Sequence, residues 1–161
     1  VTGGKLTTFR LIALDALKLA APYLGINVDD QRGAIFSPPN SGVAPQGMSA
    51  GVFARLVSRL GIHTRAFLTE MPAAELTPIA DTQVLLAELR WACRHEQVVH
   101  LDDLLLRRVR LGLLLPRGGI DAVPSLDAIL AEELGWSAEQ IAAERVRYSD
   151  IWQRYYSLPV A

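Results

Sequence analysis

Apolar residues recur every three or four positions along most of this chain, the spacing that places side chains on one face of an α-helix. The clearest case begins a few residues into the chain and keeps a single stripe for three turns, formed by Phe9, Ile12, Ala13, Ala16, Leu17 and Ala20. Thr7 or Thr8 can cap this helix, and Pro22 predicts its end near Ala21 because a proline disfavours helix at the residue before it.

The same pattern predicts further helices, with their boundaries marked by glycine, proline and capping residues. They cover about 51–60, 63–70, 82–94 with Asp81 as cap, 102–115, Ser125 to Leu134, and Ser137 to about Tyr156. No segment alternates apolar and polar residues as a half-buried strand does. The sequence therefore predicts an all-α fold, a compact bundle of about six helices with little or no sheet.

Residues 25–50 interrupt the helical pattern with repeated glycines and prolines, which predict an irregular loop. A loop of that length is uncommon inside a compact domain and usually connects parts or carries function. We therefore expect three segments, namely a first helical segment at 1–24, a connecting loop at 25–50 and a helical body at 51–161.

Composition narrows the classes of protein. Sixteen basic residues balance seventeen acidic ones, which argues against a nucleic-acid-binding protein. Half of the residues are apolar, but no uninterrupted apolar run reaches the roughly 18 residues of a membrane-spanning helix. The high apolar content predicts either a large surface that meets a missing neighbour or contact with a membrane.

The first residues combine two glycines with a lysine directly ahead of a predicted helix. Gly3 and Gly4 permit close approach of a ligand to the backbone, Lys5 supplies a cation, and the N–H groups at a helix start favour anions. A glycine turn capped by threonine explains the same residues. A nucleotide-binding P-loop does not fit, because Leu6 stands where a Ser or Thr should bind magnesium. No Met precedes this start, so we expect a piece of a longer protein.

Candidate chemistry elsewhere is sparse. Cys93 is the only cysteine, so it cannot form a disulfide within the chain, and its helical context predicts a small buried residue. His95 and His100 lie five positions apart, on different sides of a helix, so we predict no metal site. Arginines in the segment predicted as a helix over 102–115 either hold a phosphate or carboxylate or pair with acids such as Asp103, Glu96 or Glu88, and pairing is favoured. These are Arg107, Arg108 and Arg110.

Two segments together resemble one family. Gly3-Gly4-Lys5-Leu6-Thr7-Thr8-Phe9-Arg10 resembles a motif of FAD-dependent (aerobic, respiratory) glycerol-3-phosphate dehydrogenases, in which it closes the flavin domain. Arg94-His95-Glu96, Leu101-Asp102-Asp103-Leu104 and Arg107-Arg108-Val109-Arg110-Leu111-Gly112 resemble the helical C-terminal domain of the same enzymes. Phe9 replaces the Tyr that many members have, and Val109 replaces a common Thr.

The resemblance implies a function. These enzymes oxidise sn-glycerol 3-phosphate to dihydroxyacetone phosphate with FAD, pass the electrons to quinone, and lie on the inner face of the cell membrane as peripheral cytoplasmic proteins. Residues 1–24 would be the last segment of the FAD-binding domain, and FAD would be bound mainly by a part not included here. By carry-over, Gly3, Gly4, Lys5, Leu6 and Thr7 would border the flavin, and Lys5 would also approach the substrate phosphate.

The resemblance implies no catalytic residue in this chain, so we expect the fragment to be inactive alone. A different reading makes the helical domain an interaction module that covers its own FAD-binding domain, forms a homo-oligomer or docks a partner. That reading predicts self-association, or displacement or disorder of residues 1–50, in the isolated chain.

Overall fold

A computed structural model describes residues 5–29 and 42–158, and this part of the chain contains six α-helices. They are α1 (Phe9–Leu24), α2 (Ala50–Leu60), α3 (Thr64–Glu70), α4 (Leu86–His95), α5 (Leu126–Leu134) and α6 (Ala138–Tyr155). Within these ranges the backbone pairs as in a sheet only at an isolated bridge between Pro78 and Leu85. The predicted all-α fold is confirmed.

The chain divides into two compact units, Val1–Ser37 and Pro38–Ala161. Most of the predicted 25–50 loop lies outside the described residues, and residues 42–49 lead without a helix into α2. The division into segments 1–24, 25–50 and 51–161 remains a prediction. None of the described helices has both the length and the apolar character that a bilayer crossing requires.

In the first unit, α1 continues past the predicted end at Ala21, so that prediction is wrong. Pro22 lies in the last turn, where its missing N–H costs a single hydrogen bond. The helix ends at Gly25, whose left-handed backbone (φ 63°) lets its N–H donate to the carbonyl of Ala21.

In the second unit, α2 and α3 match the predicted helices 51–60 and 63–70. The Ser49 hydroxyl accepts the Val52 N–H at 3.3 Å and caps α2, and Gly61 ends it. The two helices bury Leu56, Leu60 and Phe67 in a small apolar cluster, which Trp91 of α4 completes.

Helix α4 begins at Leu86 and not at residue 82, and Asp81 does not cap it. The Thr82 hydroxyl donates to the Ile79 carbonyl at 2.8 Å and accepts the Val84 N–H at 3.1 Å. These local bonds hold residues 79–84 in a turn and compete with a helix. The Glu88 carboxylate replaces the expected cap by accepting the N–H of Leu85 at 2.8 Å.

Every residue of α4 from Ala87 to Cys93 is buried. Leu89, Ala92 and Cys93 face a large apolar cluster that also contains residues of α5 and α6, whereas Ala87 and Trp91 face the small cluster. One helix therefore carries both cores of the second unit.

The predicted helix over 102–115 is wrong. The chain forms a π-helix at Asp103–Arg108, with the Val109 N–H donating to the Leu104 carbonyl at 3.0 Å, and then breaks at Arg110, whose backbone is left-handed (φ 60°). Leu104, Leu105 and Leu106 are all buried. A wider turn can direct three consecutive leucines inward, which a regular amphipathic α-helix does not do.

Helices α5 and α6 agree with the prediction. Gly135 ends α5 in a left-handed conformation, and the Ser137 hydroxyl caps α6 by accepting the N–H of Gln140 at 3.2 Å. The predicted stripe of α6 is buried at Ile141 and Tyr148 but exposed at Tyr155. The packed part of this helix therefore stops about one turn before its end.

Candidate functional site

The segment predicted to border a flavin is described only in part. Gly3 and Gly4 lie outside the described residues, and for Leu6 only the backbone is described, as part of a short 3₁₀ turn over Leu6–Thr8. Lys5 and Thr7 are exposed. The structure therefore leaves the assignment of Gly3, Gly4, Lys5, Leu6 and Thr7 to the flavin edge as a prediction.

The start of α1 is not capped as the sequence predicts. Thr8 occupies the N-cap position, but its hydroxyl donates to the Lys5 carbonyl at 2.9 Å and makes no hydrogen bond to α1. The first-turn N–H groups therefore keep their partial positive charge without a side-chain acceptor from the capping residue. Together with the exposed Lys5 ammonium, this is a suitable set of donors for an anionic group.

In the second unit, the carboxylate of Glu88 is completely buried in α4. Arg55 of α2 holds it through two guanidinium nitrogens, one at 3.1 Å, and Arg59 approaches it at 3.6 Å. With the capping bond from Leu85, these contacts satisfy a charge that would otherwise be costly to bury. Glu88 therefore joins α2 to α4.

A second set of ion pairs surrounds Arg90, which projects from another side of α4. Its guanidinium contacts Glu75 at 2.7 Å, Glu132 at 2.8 Å and Glu133 at 2.5 Å, and Arg94 also binds Glu133 at 2.5 Å. Hydrogen bonds from Arg94 and Arg90 hold the pKa of the Glu133 carboxyl below its ordinary value, against the opposing effect of burial. These contacts fix α5 against α4.

The residues of the Arg94-His95-Glu96 motif all make contacts within the domain. The His95 ring lies 4.0 Å from the Trp91 ring and its Nε2 lies 3.6 Å from Glu70, while Glu96 binds Arg59 at 2.9 Å. This motif therefore ties α4 to α2, α3 and α5.

Asp102 connects the π-helix to α6. Its carboxylate, almost fully buried, accepts hydrogen bonds from Arg107 and from Arg147. Burial alone would raise the pKa of Asp102, but the two guanidinium groups outweigh it and hold that pKa below its ordinary value. On the same helix α6, the carboxylate of Glu144 accepts the Leu101 N–H at 3.0 Å and contacts His100 Nδ1 at 2.9 Å.

Two of the three candidate anion-binding arginines bind other residues of the domain. Arg107 also pairs with Asp103 at 2.8 Å, as predicted, and Arg108 Nε donates to the backbone carbonyl of Glu96 at 2.7 Å. Arg110 is exposed, and no hydrogen bond or ion pair of its side chain is found with the described residues. The internal pairs account for Arg107 and Arg108 without a ligand.

Cys93 is buried in the large apolar cluster, as predicted. Burial, assisted by the nearby carboxylate of Glu133, raises the pKa of Cys93 to about 12, so at neutral pH it is a protonated thiol and a poor nucleophile. His95 and His100 contact different helices. Within residues 5–29 and 42–158, no group of three His, Cys, Asp or Glu side chains could hold a metal ion.

Sequence reasoning missed a clasp between α6 and the turns before α5. The Tyr148 hydroxyl donates to the Gly118 carbonyl at 2.6 Å, and Trp152 Nε1 donates to the Gly112 carbonyl at 2.9 Å. A Cβ at Gly112 would lie 2.4 Å from the Tyr148 hydroxyl oxygen. The spacing of Tyr148 and Trp152 on one helical stripe indicated packing, but no local signal paired them with these glycines.

These observations define a class, an all-helical domain in which the buried charged residues Glu88, Arg90 and Asp102 form ion pairs between its own elements. Residues 18–141 match the family described as the C-terminal domain of alpha-glycerophosphate oxidase, and the chain belongs to that family.

Several relatives named for glycerol phosphate oxidation match most of the chain. A glycerol-3-phosphate dehydrogenase of Mycobacterium leprae is 29% identical over 92% of this chain and 28% of its own length. Glycerol-3-phosphate dehydrogenase 1 of Mycobacterium bovis is 37% identical over 73% of this chain and 23% of its own length. An alpha-glycerophosphate oxidase of Lactococcus lactis is 29% identical over 94% of this chain and 29% of its own length. The chain thus spans less than a third of these relatives, and no solved structure matches it.

Proposed function

We propose that this chain is the C-terminal part of an FAD-dependent glycerol-3-phosphate dehydrogenase that oxidises sn-glycerol 3-phosphate to dihydroxyacetone phosphate. One observation carries the proposal. Residues 18–141 match the family, and the segment Gly3–Arg10, which precedes them in the chain, carries the motif that resembles the flavin edge. The names of the relatives support the substrate.

The residues at the start of the chain would contribute charge and close approach to the cofactor. FAD, when bound, supplies the acceptor for hydride from C2 of the substrate. Gly3 and Gly4 would let the backbone approach it, and Leu6 and Thr7 would border it. The Lys5 ammonium and the α1 N-terminus would stabilise negative charge at the cofactor edge and the substrate phosphate. The start of α1, which the Thr8 side chain does not cap, and the exposed Lys5 fit that role.

The finer parts of the proposal concern the electron acceptor and location. We propose quinone as the acceptor, and peripheral attachment to the inner face of the cell membrane. The relatives include both dehydrogenases and an oxidase, so oxygen is the alternative acceptor. Turnover of the full-length protein with a soluble quinone under argon supports quinone. Turnover that requires oxygen and releases hydrogen peroxide contradicts it.

The principal test uses the full-length protein, mixed anaerobically with glycerol 3-phosphate while the visible absorbance of the oxidised flavin is followed. Rapid bleaching is expected, and Lys5→Ala should slow it by about tenfold or more, because it removes a positioned cation. Lys18→Ala is the matched control, since Lys18 is an exposed lysine on α1 that lies far along the chain from Lys5. Its bleaching should match that of the unaltered protein.

Two outcomes would contradict the proposal. A bound flavin that stays oxidised would contradict glycerol 3-phosphate as the substrate. A full-length protein that contains no flavin would contradict FAD as the cofactor. We also expect the isolated chain to be inactive, because the resemblance places the hydride-accepting machinery and most FAD contacts in a part of the polypeptide not included here. Tight flavin binding by the isolated chain would contradict the expectation that FAD is bound mainly by the rest of the polypeptide.

A second candidate function is an interaction module without catalytic residues of its own. Large apolar side chains of the first unit are exposed, among them Phe9, Leu11, Leu19, Tyr23 and Leu24. Such a helix favours burial against another surface. This reading predicts self-association of the isolated chain in analytical ultracentrifugation, and a monodisperse monomer with an ordered N-terminus would contradict it.

A further inference from the structure

Two adjacent leucines project into solvent at the end of the family-like motif. Leu113 is 51% exposed and Leu114 is 60% exposed, and together they form what we call the leucine turn. Their neighbours on either side are drawn inward, since Leu111 is buried and Leu115 packs against the large cluster. Single exposed leucines are ordinary, whereas two adjacent exposed leucines form a continuous apolar surface that can add to a larger interface.

The leucine turn is held rigidly from beneath. Gly112 leaves room for the Tyr148 hydroxyl and for a methyl group of Leu106. A Cβ at position 112 would lie 2.6 Å from that methyl group. The indole N–H of Trp152 donates to the Gly112 carbonyl, which fixes the backbone directly before Leu113. A surface that is already ordered loses little conformational entropy on binding.

Strained residues flank the leucine turn on both sides. Arg110 and Arg117 have left-handed backbones, with φ of 60° and 51°. A non-glycine residue in this region costs about 1 kcal/mol or more, and such strain persists where the surrounding structure imposes it. Both arginine side chains are exposed, and arginine is enriched at protein interfaces.

We infer that the leucine turn is the surface on which the rest of the same polypeptide docks, the part that holds the flavin under the proposed function. The argument for this occupant is length. The matched stretch covers only 23–29% of the relatives, so most of each relative lies outside it. A covalently linked part is present at a high effective concentration, which favours its contact with an exposed apolar surface of this domain. A rigid apolar turn flanked by exposed arginines is suited to such an intramolecular interface.

The test places the photo-cross-linking amino acid p-benzoylphenylalanine at position 113 of the full-length protein and maps the products by mass spectrometry. The expected products join position 113 to peptides of the same polypeptide outside residues 1–161. The matched control places the probe at Val99, an apolar residue that is 65% exposed on the loop before the π-helix. We expect no such product from position 99.

Every other outcome overturns the inference. Products between two polypeptides indicate a dimer surface, products with lipid in native membranes indicate a bilayer surface, and no product indicates a solvated turn. Equal products from positions 99 and 113 would show non-specific contact. The result is separate from that of the flavin assay. A protein that bleaches with glycerol 3-phosphate but gives no intramolecular product at 113 refutes only the docking inference. Intramolecular products from a protein without flavin refute only the proposed cofactor.

Discussion

Glycines 51 and 112 show how one residue type serves opposite demands at two positions. At Gly51, in the first turn of α2, nothing lies within 4 Å of an added Cβ. At Gly112 the same atom would meet the Tyr148 hydroxyl, Leu106 and, at 3.2 Å, the Leu105 carbonyl oxygen. The glycine at 112 is therefore required by packing, whereas the one at 51 only weakens its helix.

Replacing glycine by alanine should therefore change the free energy of unfolding in opposite directions at these two positions. Gly112→Ala should lower the free energy of unfolding by about 1–3 kcal/mol, because Tyr148 and Leu106 must move away. Gly51→Ala should raise it by about 0.5–1 kcal/mol through better helix propensity. Urea denaturation of both variants measures the two shifts. A neutral Gly112→Ala variant would mean that the clasp between Tyr148, Trp152 and the glycine turns yields easily.

At the scale of elements, the sequence predicted which segments are helical better than how they begin. Helices α2, α5 and α6 carry clear caps and stops, such as Ser49, Ser137 and Gly135, and agree with the prediction. The start of α4 was missed because the bonds of Thr82 compete with helix, and apolar periodicity does not reveal them. The π-helix was missed because Leu104–Leu106 are buried together only when packed against other helices.

Asp102 gives one of these contacts a measurable pH dependence. Its pKa is lower in the folded chain than in the unfolded chain, so its contribution to stability is complete above the unfolded value of about 4. That contribution should be lost as pH falls below this value towards the folded pKa. Asp102→Asn should therefore destabilise the domain at pH 7 by about 1–3 kcal/mol and flatten the loss of stability below pH 5.

Denaturation midpoints measured across a pH series test this expectation. Asp121→Asn is the control, since Asp121 is exposed and its ion pair is with the exposed Arg117 at 2.8 Å. A surface pair contributes about 0–1 kcal/mol, so this variant should keep the acid sensitivity of the unaltered chain. An unchanged acid profile for Asp102→Asn would show that its bonds to Arg107 and Arg147 do not govern acid stability.

At the scale of the whole molecule, α4 places a single helix between the two apolar clusters of the second unit. Leu89 belongs to the large cluster and Trp91 to the small one, although they are two residues apart. Neither cluster can lose α4 and remain closed. We therefore expect the second unit to unfold as one cooperative body.

Single-tryptophan variants test this cooperativity. Trp91 reports on the small cluster and Trp136 on the large one, and each is retained in turn while the other tryptophans are replaced by Phe. After correction for the different stability of the two variants, the fluorescence transition should coincide with loss of helical circular dichroism in each. A Trp91 transition well ahead of the helical one would show that α2 and α3 open separately.

The sequence predicted the motif of the candidate site but not the residues that surround it in space. The order Gly3-Gly4-Lys5 before a helix is visible in the sequence, but a cofactor edge also requires an opposite wall, which a local sequence pattern does not locate. The reverse holds for Arg107 and Arg108. Their spacing suggested an anion site, and only the positions of Asp102, Asp103 and the Glu96 carbonyl show that both are occupied internally.

That internal pairing affects how a function is assigned to related chains from their sequences. The residues of Arg94-His95-Glu96, together with Asp102, Arg107, Arg108 and Gly112, preserve architecture, because each is engaged by another residue of the same domain. A chain without the proposed oxidation chemistry would need the same residues in order to fold. The presence of this signature therefore diagnoses ancestry, whereas retained catalysis must be judged from residues elsewhere in the polypeptide.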